Sequence, residues 1–226
     1  MRSLLAAALL CGLLTACSVG SGARAAGAEV EPVGRGVVSV AAEAPADAAG
    51  WQRPRWRVGD QFTLVRGDRM TGTFTVRSND GGVYVIDMGN GSLLRRDQDL
   101  GNLGHWRDSE EEAERAMLPA DARYHWPLWV GKQWTCEFVD RARTGKPMLM
   151  SASYEVEAID HVNVPAGSYE ALRISRRLRL VDGRADVLTR AQMIWYAPDA
   201  GLEVRQLIGD TLVELVSYKR GQSSDQ

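Results

Sequence analysis

From about Trp51 onward, apolar and polar positions alternate in short runs separated by glycine-bearing turns. In residues 152–159, Ala152, Tyr154, Val156 and Ala158 face one way, and Ser153, Glu155 and Glu157 face the other. In residues 169–180, Leu172, Ile174, Leu178 and Leu180 share a face opposite Arg173, Ser175, Arg177 and Arg179, while Arg176 lies on the side away from those arginines. A period of two marks half-buried antiparallel strands. The turns between them read NDGG (79–82), GNGS (89–92), VDGR (181–184) and IGDT (208–211), and Asn-Gly and Asp-Gly favour the positive φ angles of tight hairpins. Together these features predict a mainly β domain built on an antiparallel sheet. One or two short helices are expected at most. The clearest begins at Ser109, which has capping-box spacing to Glu112; the acidic run Glu110 to Glu112 suits its first turn, and Pro119 ends it.

The stretch WPLWVGKQWTCEF (126–138) gathers Trp126, Trp129 and Trp134 around a lone cysteine. Its VGKQWT (130–135) matches VGDQFT (58–63), so a faint internal repeat divides the domain into halves at 51–122 and 123–220. Gly59 and Gly131 supply a close turn, and the aromatic three residues later, Phe62 or Trp134, points inward. Trp134, Cys136 and Phe138 then share the inward face, with Trp126 and Trp129 packed over the sheet edge. An aromatic-lined pocket is the functional alternative to this core role. Cys136 reads as a small buried hydrophobe rather than a nucleophile, because the nearest histidine in its stretch is His125.

The front of the chain changes the picture. Arg2 precedes an apolar run from Leu4 to Leu14, too short to span a bilayer and of the length of a secretory core segment. Leu14-Thr15-Ala16-Cys17 resembles the lipobox of bacterial lipoproteins. That resemblance implies removal of residues 1–16, a diacylglycerol thioether on Cys17 and acylation (palmitate) of the new amino terminus. The alternative is an ordinary signal peptide cut near Ala23-Arg24-Ala25. Ser18, rather than Asp, favours the outer membrane by analogy with enteric lipoproteins. Residues 17–50 are rich in Ala, Gly, Val and Pro without an aromatic, and read as the lipidated cysteine and a flexible spacer, with a short strand near Val37–Val40 as the alternative. The β-rich domain then covers 51–226.

Charge and candidate chemistry exclude more than they suggest. Lys and Arg number 27 against 29 Asp and Glu. Losing Arg2 with the leader leaves 26 against 29, no footprint for nucleic acid. His105, His125 and His161 lack metal-ligand spacing, and no nucleophile elbow or phosphate loop occurs. No metal, cofactor or catalytic residue is expected, and the chain reads as non-enzymatic. The arginine row Arg173, Arg177 and Arg179 suits phosphate or carboxylate groups, or else modest surface ion pairs.

PLWVGKQW (127–134), VNVPAGSYEALRI (162–174) and WYAPDAGLEVRQ (195–206) together resemble a group of periplasmic and envelope β-proteins without an assigned activity. The resemblance implies an open half-barrel sheet akin to the lipoprotein-carrier (LolA-like) fold. The expected function is an envelope lipoprotein binding an apolar or lipid-like ligand in a curved sheet, with Trp134, Trp195, Arg173, Arg177 and Arg179 as the candidate ligand or partner face. A protein-interaction module of an envelope complex is the alternative. An enzyme of envelope polymers has no residues to nominate.

Overall fold

The computed structural model describes residues 31–41, 43–108, 110–181 and 186–222. These form β1 (Gly36–Ala41), β2 (Gln61–Arg66), β3 (Arg69–Asp80), β4 (Val83–Asp87), β5 (Ser92–Arg96), β6 (Asn102–Arg107) and β7 (Ala113–Asp121). They continue as β8 (Gln133–Ala142), β9 (Met148–Val164), β10 (Gly167–Val181), β11 (Asp186–Ala197), β12 (Leu202–Ile208) and β13 (Thr211–Lys219). No helix occurs among the described residues.

From β2 to β13 each strand pairs antiparallel with the next, and β13 pairs back onto β2, with Leu215 opposite Leu64. The expected open half-barrel is therefore corrected to a closed twelve-strand up-and-down barrel. Closure gives the edges of the first and last strands a partner, which an open sheet leaves bare. The helix expected from Ser109 is corrected as well. Ser109 lies outside the described residues, and the segment that follows is β7. Ala113, Ala116 and Met117 offer a helix only a thin apolar edge, whereas a strand here satisfies the facing ladders of β6 and β8. Gly104 makes that approach feasible, since a side chain there would collide with the Arg115 carbonyl.

The hairpin turns behave as their composition predicts. Gly81 and Gly82 both take positive φ (59° and 86°) between β3 and β4, and Gly209 (58°) turns β12 into β13. The VDGR turn falls largely on residues outside those described. Pro198 ends β11, and the Gly201 amide donates to the Ala197 carbonyl at 2.8 Å as the chain bends into β12.

The two copies of the short repeat are built alike. The Gly59 amide donates to the Val76 carbonyl and the Val76 amide to the Asp60 carbonyl (2.8 and 2.9 Å); Gly131, Val156 and Lys132 repeat the frame at 2.7 and 2.9 Å. Each copy opens a run of six strands, β2–β7 and β8–β13.

β8 has one edge on β9 from Gln133 to Asp140, while its other edge is shared. Residues 139–142 pair with β7 and residues 133–137 with β1. The strand near Val37–Val40 thus exists, inside the segment read as spacer, and it completes the wall where β7 diverges from β8.

One end of the barrel is closed by the crossings 51–60 and 122–132. Trp51 bridges Leu128, Trp56 and Trp129 are buried, and Trp126 stacks on Tyr124 at 5.2 Å. This is where most of the tryptophan of 126–138 goes. Trp134, Cys136 and Phe138 point inward, all nearly inaccessible. The outward positions carry charges in pairs, such as Arg173 with Glu157 and Arg205 with Glu214.

Candidate functional site in the barrel lumen

A twelve-strand barrel is too wide for its own side chains to fill throughout. The lumen accordingly contains two cavities of about 370 and 380 Å³, which share His105, Gln206 and Ile208 in their linings. Both reach the end opposite the aromatic crossings, where Arg66, Met148 and Arg190 are exposed at the rim.

The second cavity is mainly apolar, with Arg96, His105, Glu203 and Gln206 also in its wall. Trp56, Phe62, Leu64, Phe74, Leu94 and Leu100 line it, and Arg66 stands at its mouth. Its aromatic walls hold one another: Phe62 stacks on Phe74 at 5.1 Å, and Trp56 meets Phe62 and Tyr84 at 6.0 and 5.6 Å. The Trp56 indole donates to the Gly201 carbonyl at 2.9 Å, fixing the ring that forms the floor.

The other cavity is bordered by charge that is already neutralised within the wall. Arg176 donates from Nη2 to Asp121 (2.6 Å) and from Nε to the Tyr154 hydroxyl (2.8 Å), which itself donates to Asp121 at 2.5 Å. Arg123 forms a two-pronged contact with Glu203 at 3.0 and 3.1 Å, and Tyr124 donates to the same carboxylate at 2.7 Å. Arg115 grips the buried Asp140. Burial pushes the Tyr124 and Tyr154 hydroxyls well above the usual phenol range. Burial alone would raise the Glu203 carboxyl, but Arg123 and Arg96 outweigh it and hold the group below its ordinary value. At the junction of the cavities, burial and then Arg115 and Arg96 lower the His105 pKa, so its imidazole is neutral near pH 7.

Asp121, Asp140 and Glu203 are thus each paired with an arginine of the wall. The Cys136 thiol is pushed up to about 12, chiefly by burial and then by Asp121, which keeps it an unreactive thiol. Among the described residues no group of His, Cys, Asp and Glu could hold a metal ion.

The five candidate residues do not share one face. Trp134 lies inside, stacked on Tyr154 at 5.0 Å and donating to the Ala122 carbonyl at 2.8 Å, and it borders neither cavity. Trp195 and Arg173 meet on the outside through Asp160, at 2.8 and 3.0 Å. Arg177 and Arg179 continue that outer face, Arg177 exposed and Arg179 half-buried. Cys17 lies outside the described residues. Sequence reasoning pointed Phe62 inward but passed over the lumen walls at Phe74 and Leu94, whose strands show the same alternation as any other, and at Leu100 between β5 and β6. The charged belt had one visible sign, Arg176 among leucines.

No family model matches the chain, and no curated protein matches it either. Some solved structures are similar in fold. The hypothetical lipoprotein YmcC of Escherichia coli aligns over 75% of this chain and 90% of its own, at 9% identity and a TM-score of 0.48. A Bacteroides fragilis protein with a YmcC-like fold aligns over 76% and 100%, at 11% identity and a TM-score of 0.37. With scores this low, the functional reading below rests on the residues of this chain alone.

Proposed function

We propose that this is a lipid-anchored envelope protein whose barrel lumen holds an apolar or lipid-like ligand. The observation that carries the reading is the 380 Å³ cavity walled by Trp56, Phe62, Leu64, Phe74, Leu94 and Leu100. Its size falls within the range of small-molecule sites, and an apolar wall carrying a few polar groups is how such sites hold and orient a ligand. The leader and lipobox at Leu14–Cys17 support the envelope location and the anchor, with the outer membrane favoured by Ser18. In this reading the lumen serves holding rather than turnover.

The test is binding. An apolar naphthylamine dye added to the purified protein gains fluorescence on entering the cavity, and fatty acids compete it away. Leu94→Trp fills the space beside Trp56 and lowers dye affinity at least tenfold, while Arg177→Gln on the outer wall leaves it unchanged. Unaltered dye binding in a correctly folded Leu94→Trp protein overturns the proposal.

A further inference from the structure

The walls of the two cavities do not balance in charge. Among the described residues they carry six arginines against three carboxylates. Asp121, Asp140 and Glu203 are taken by Arg176, Arg115 and Arg123. Arg66 and Arg190 face water at the mouth, where solvent screens them. Arg96 is the remainder, and it is inside.

Arg96 ends β5 two positions beyond Leu94, so alternation turns both toward the apolar cavity. Only 14% of its side chain is exposed. Its guanidinium lies 5.7 Å from the centre of the Trp56 ring, which puts a positive charge at the cavity floor. Its partners are poor. Nη1 donates to the Leu100 carbonyl at 3.2 Å and stands 3.6 Å from Glu203. That carboxylate is already occupied by both prongs of Arg123, the Tyr124 hydroxyl and the Gln206 amide at 2.5 Å. Nε is buried with no partner, and Nη2 makes no hydrogen bond among the described residues. Asp97, next along the chain, borders neither cavity and accepts from the Asp99 and Gly101 amides instead. His105 on the same wall is neutral near pH 7 and supplies no counter-charge. A buried cation short of acceptors is costly unless something supplies them. The apolar space beside it says what kind of molecule does.

We infer that the apolar cavity takes a long-chain carboxylic acid head first, its carboxylate on Arg96 at the floor and its alkyl chain running past Phe62, Phe74 and Leu94 toward the mouth. This names the ligand class for the lumen reading above and rests on it. A monoanion matches the single surplus charge inside, and bonds from a guanidinium to an ionised carboxylate are about twice as strong as those to a neutral acceptor. A neutral lipid leaves the charge unanswered, and a cationic one is repelled.

Displacement of the naphthylamine dye separates this inference from the reading beneath it. Dodecanoic acid, dodecanol and dodecylamine compete for the dye near pH 7. The acid is expected to bind about tenfold more tightly than the alcohol, with the amine weakest. Arg96→Gln brings the acid down to the alcohol's affinity, while Arg96→Lys, which keeps the charge, retains part of the difference. The wild-type ratio decides even where a variant fails to fold. Acid and alcohol competing equally overturns the head-group assignment and leaves an apolar lumen standing. Loss of the acid's advantage in Arg66→Gln but not in Arg96→Gln moves the head to the mouth and overturns the head-first pose. Dodecyl phosphate binding more tightly than the acid overturns the carboxylate. A wild-type protein that binds no dye defeats the lumen reading and this inference with it.

Discussion

Replacing Arg176 with Met probes the charged belt that borders the lumen. The Arg176 and Asp121 side chains are only 6% and 2% exposed, and the guanidinium contributes a 2.6 Å bond to the carboxylate and a 2.8 Å bond to Tyr154. Met preserves the length of the stem and removes the charge. Asp121 is then left with the Tyr154 hydroxyl at 2.5 Å and the weak Cys136 thiol at 3.7 Å. Stranding one member of a buried pair costs about 3–5 kcal/mol, a large share of the roughly 5–15 kcal/mol by which a domain is folded. Adding Asp121→Asn to the Met variant removes the stranded charge and recovers most of the loss. Urea unfolding followed by circular dichroism and tryptophan fluorescence reads the midpoint at constant slope. A cost below about 1 kcal/mol, or a double variant no better than the single one, would mean that cavity water solvates Asp121. The argument that this pair sits in a low-dielectric wall would then be refuted.

Two further outcomes follow from the same coordinates. Lys132 is buried at the closed end, with the Pro127 carbonyl (2.7 Å) and the Trp129 ring (4.0 Å) beside its ammonium, and burial lowers its pKa to about 8. A lysine depressed on folding binds more protons in the unfolded chain. Between pH 8 and 10 the wild type therefore gains stability relative to Lys132→Met, by about 1 kcal/mol after allowance for solvent screening; thermal melts across that range showing no gain, or a loss, would contradict this. Gly34→Val cannot be accommodated beside Leu118, Phe138 and Val139. It releases β1, so that hydrogen exchange accelerates at residues 36–41 and 133–137 while the β9–β10 ladder stays protected; unchanged exchange at 36–41 would show that the seam tolerates a side chain.

Much of this architecture was open to reading before any coordinates. Alternation along 152–159 and 169–180 located β9 and β10, and the glycine-bearing turns located the hairpins, because side-chain period and φ preference are local properties. The VGDQFT and VGKQWT copies likewise marked two equivalent strand entries. The expected helix failed for a reason of the opposite kind: a capping signal at Ser109 and Glu112 is local, and it yielded to two neighbouring strands that needed partners. Trp134 failed as a ligand residue because alternation says which residues share a face but not whether that face ends in packed core or in cavity.

What the amino-acid order determined by itself is therefore the alternating strands such as 152–159 and 169–180, their inward and outward faces and the glycine-bearing turns, while β1 and β7 escaped it. Closure was decided only by the tertiary structure. Whether β13 returns to β2 depends on the accumulated twist and stagger of twelve strands, to which each run contributes a little and which no single run displays. That one long-range pairing turns an open sheet into a lumen, brings Asp121 to Arg176 across 55 positions, and leaves space beside Leu94 that its own strand could not reveal.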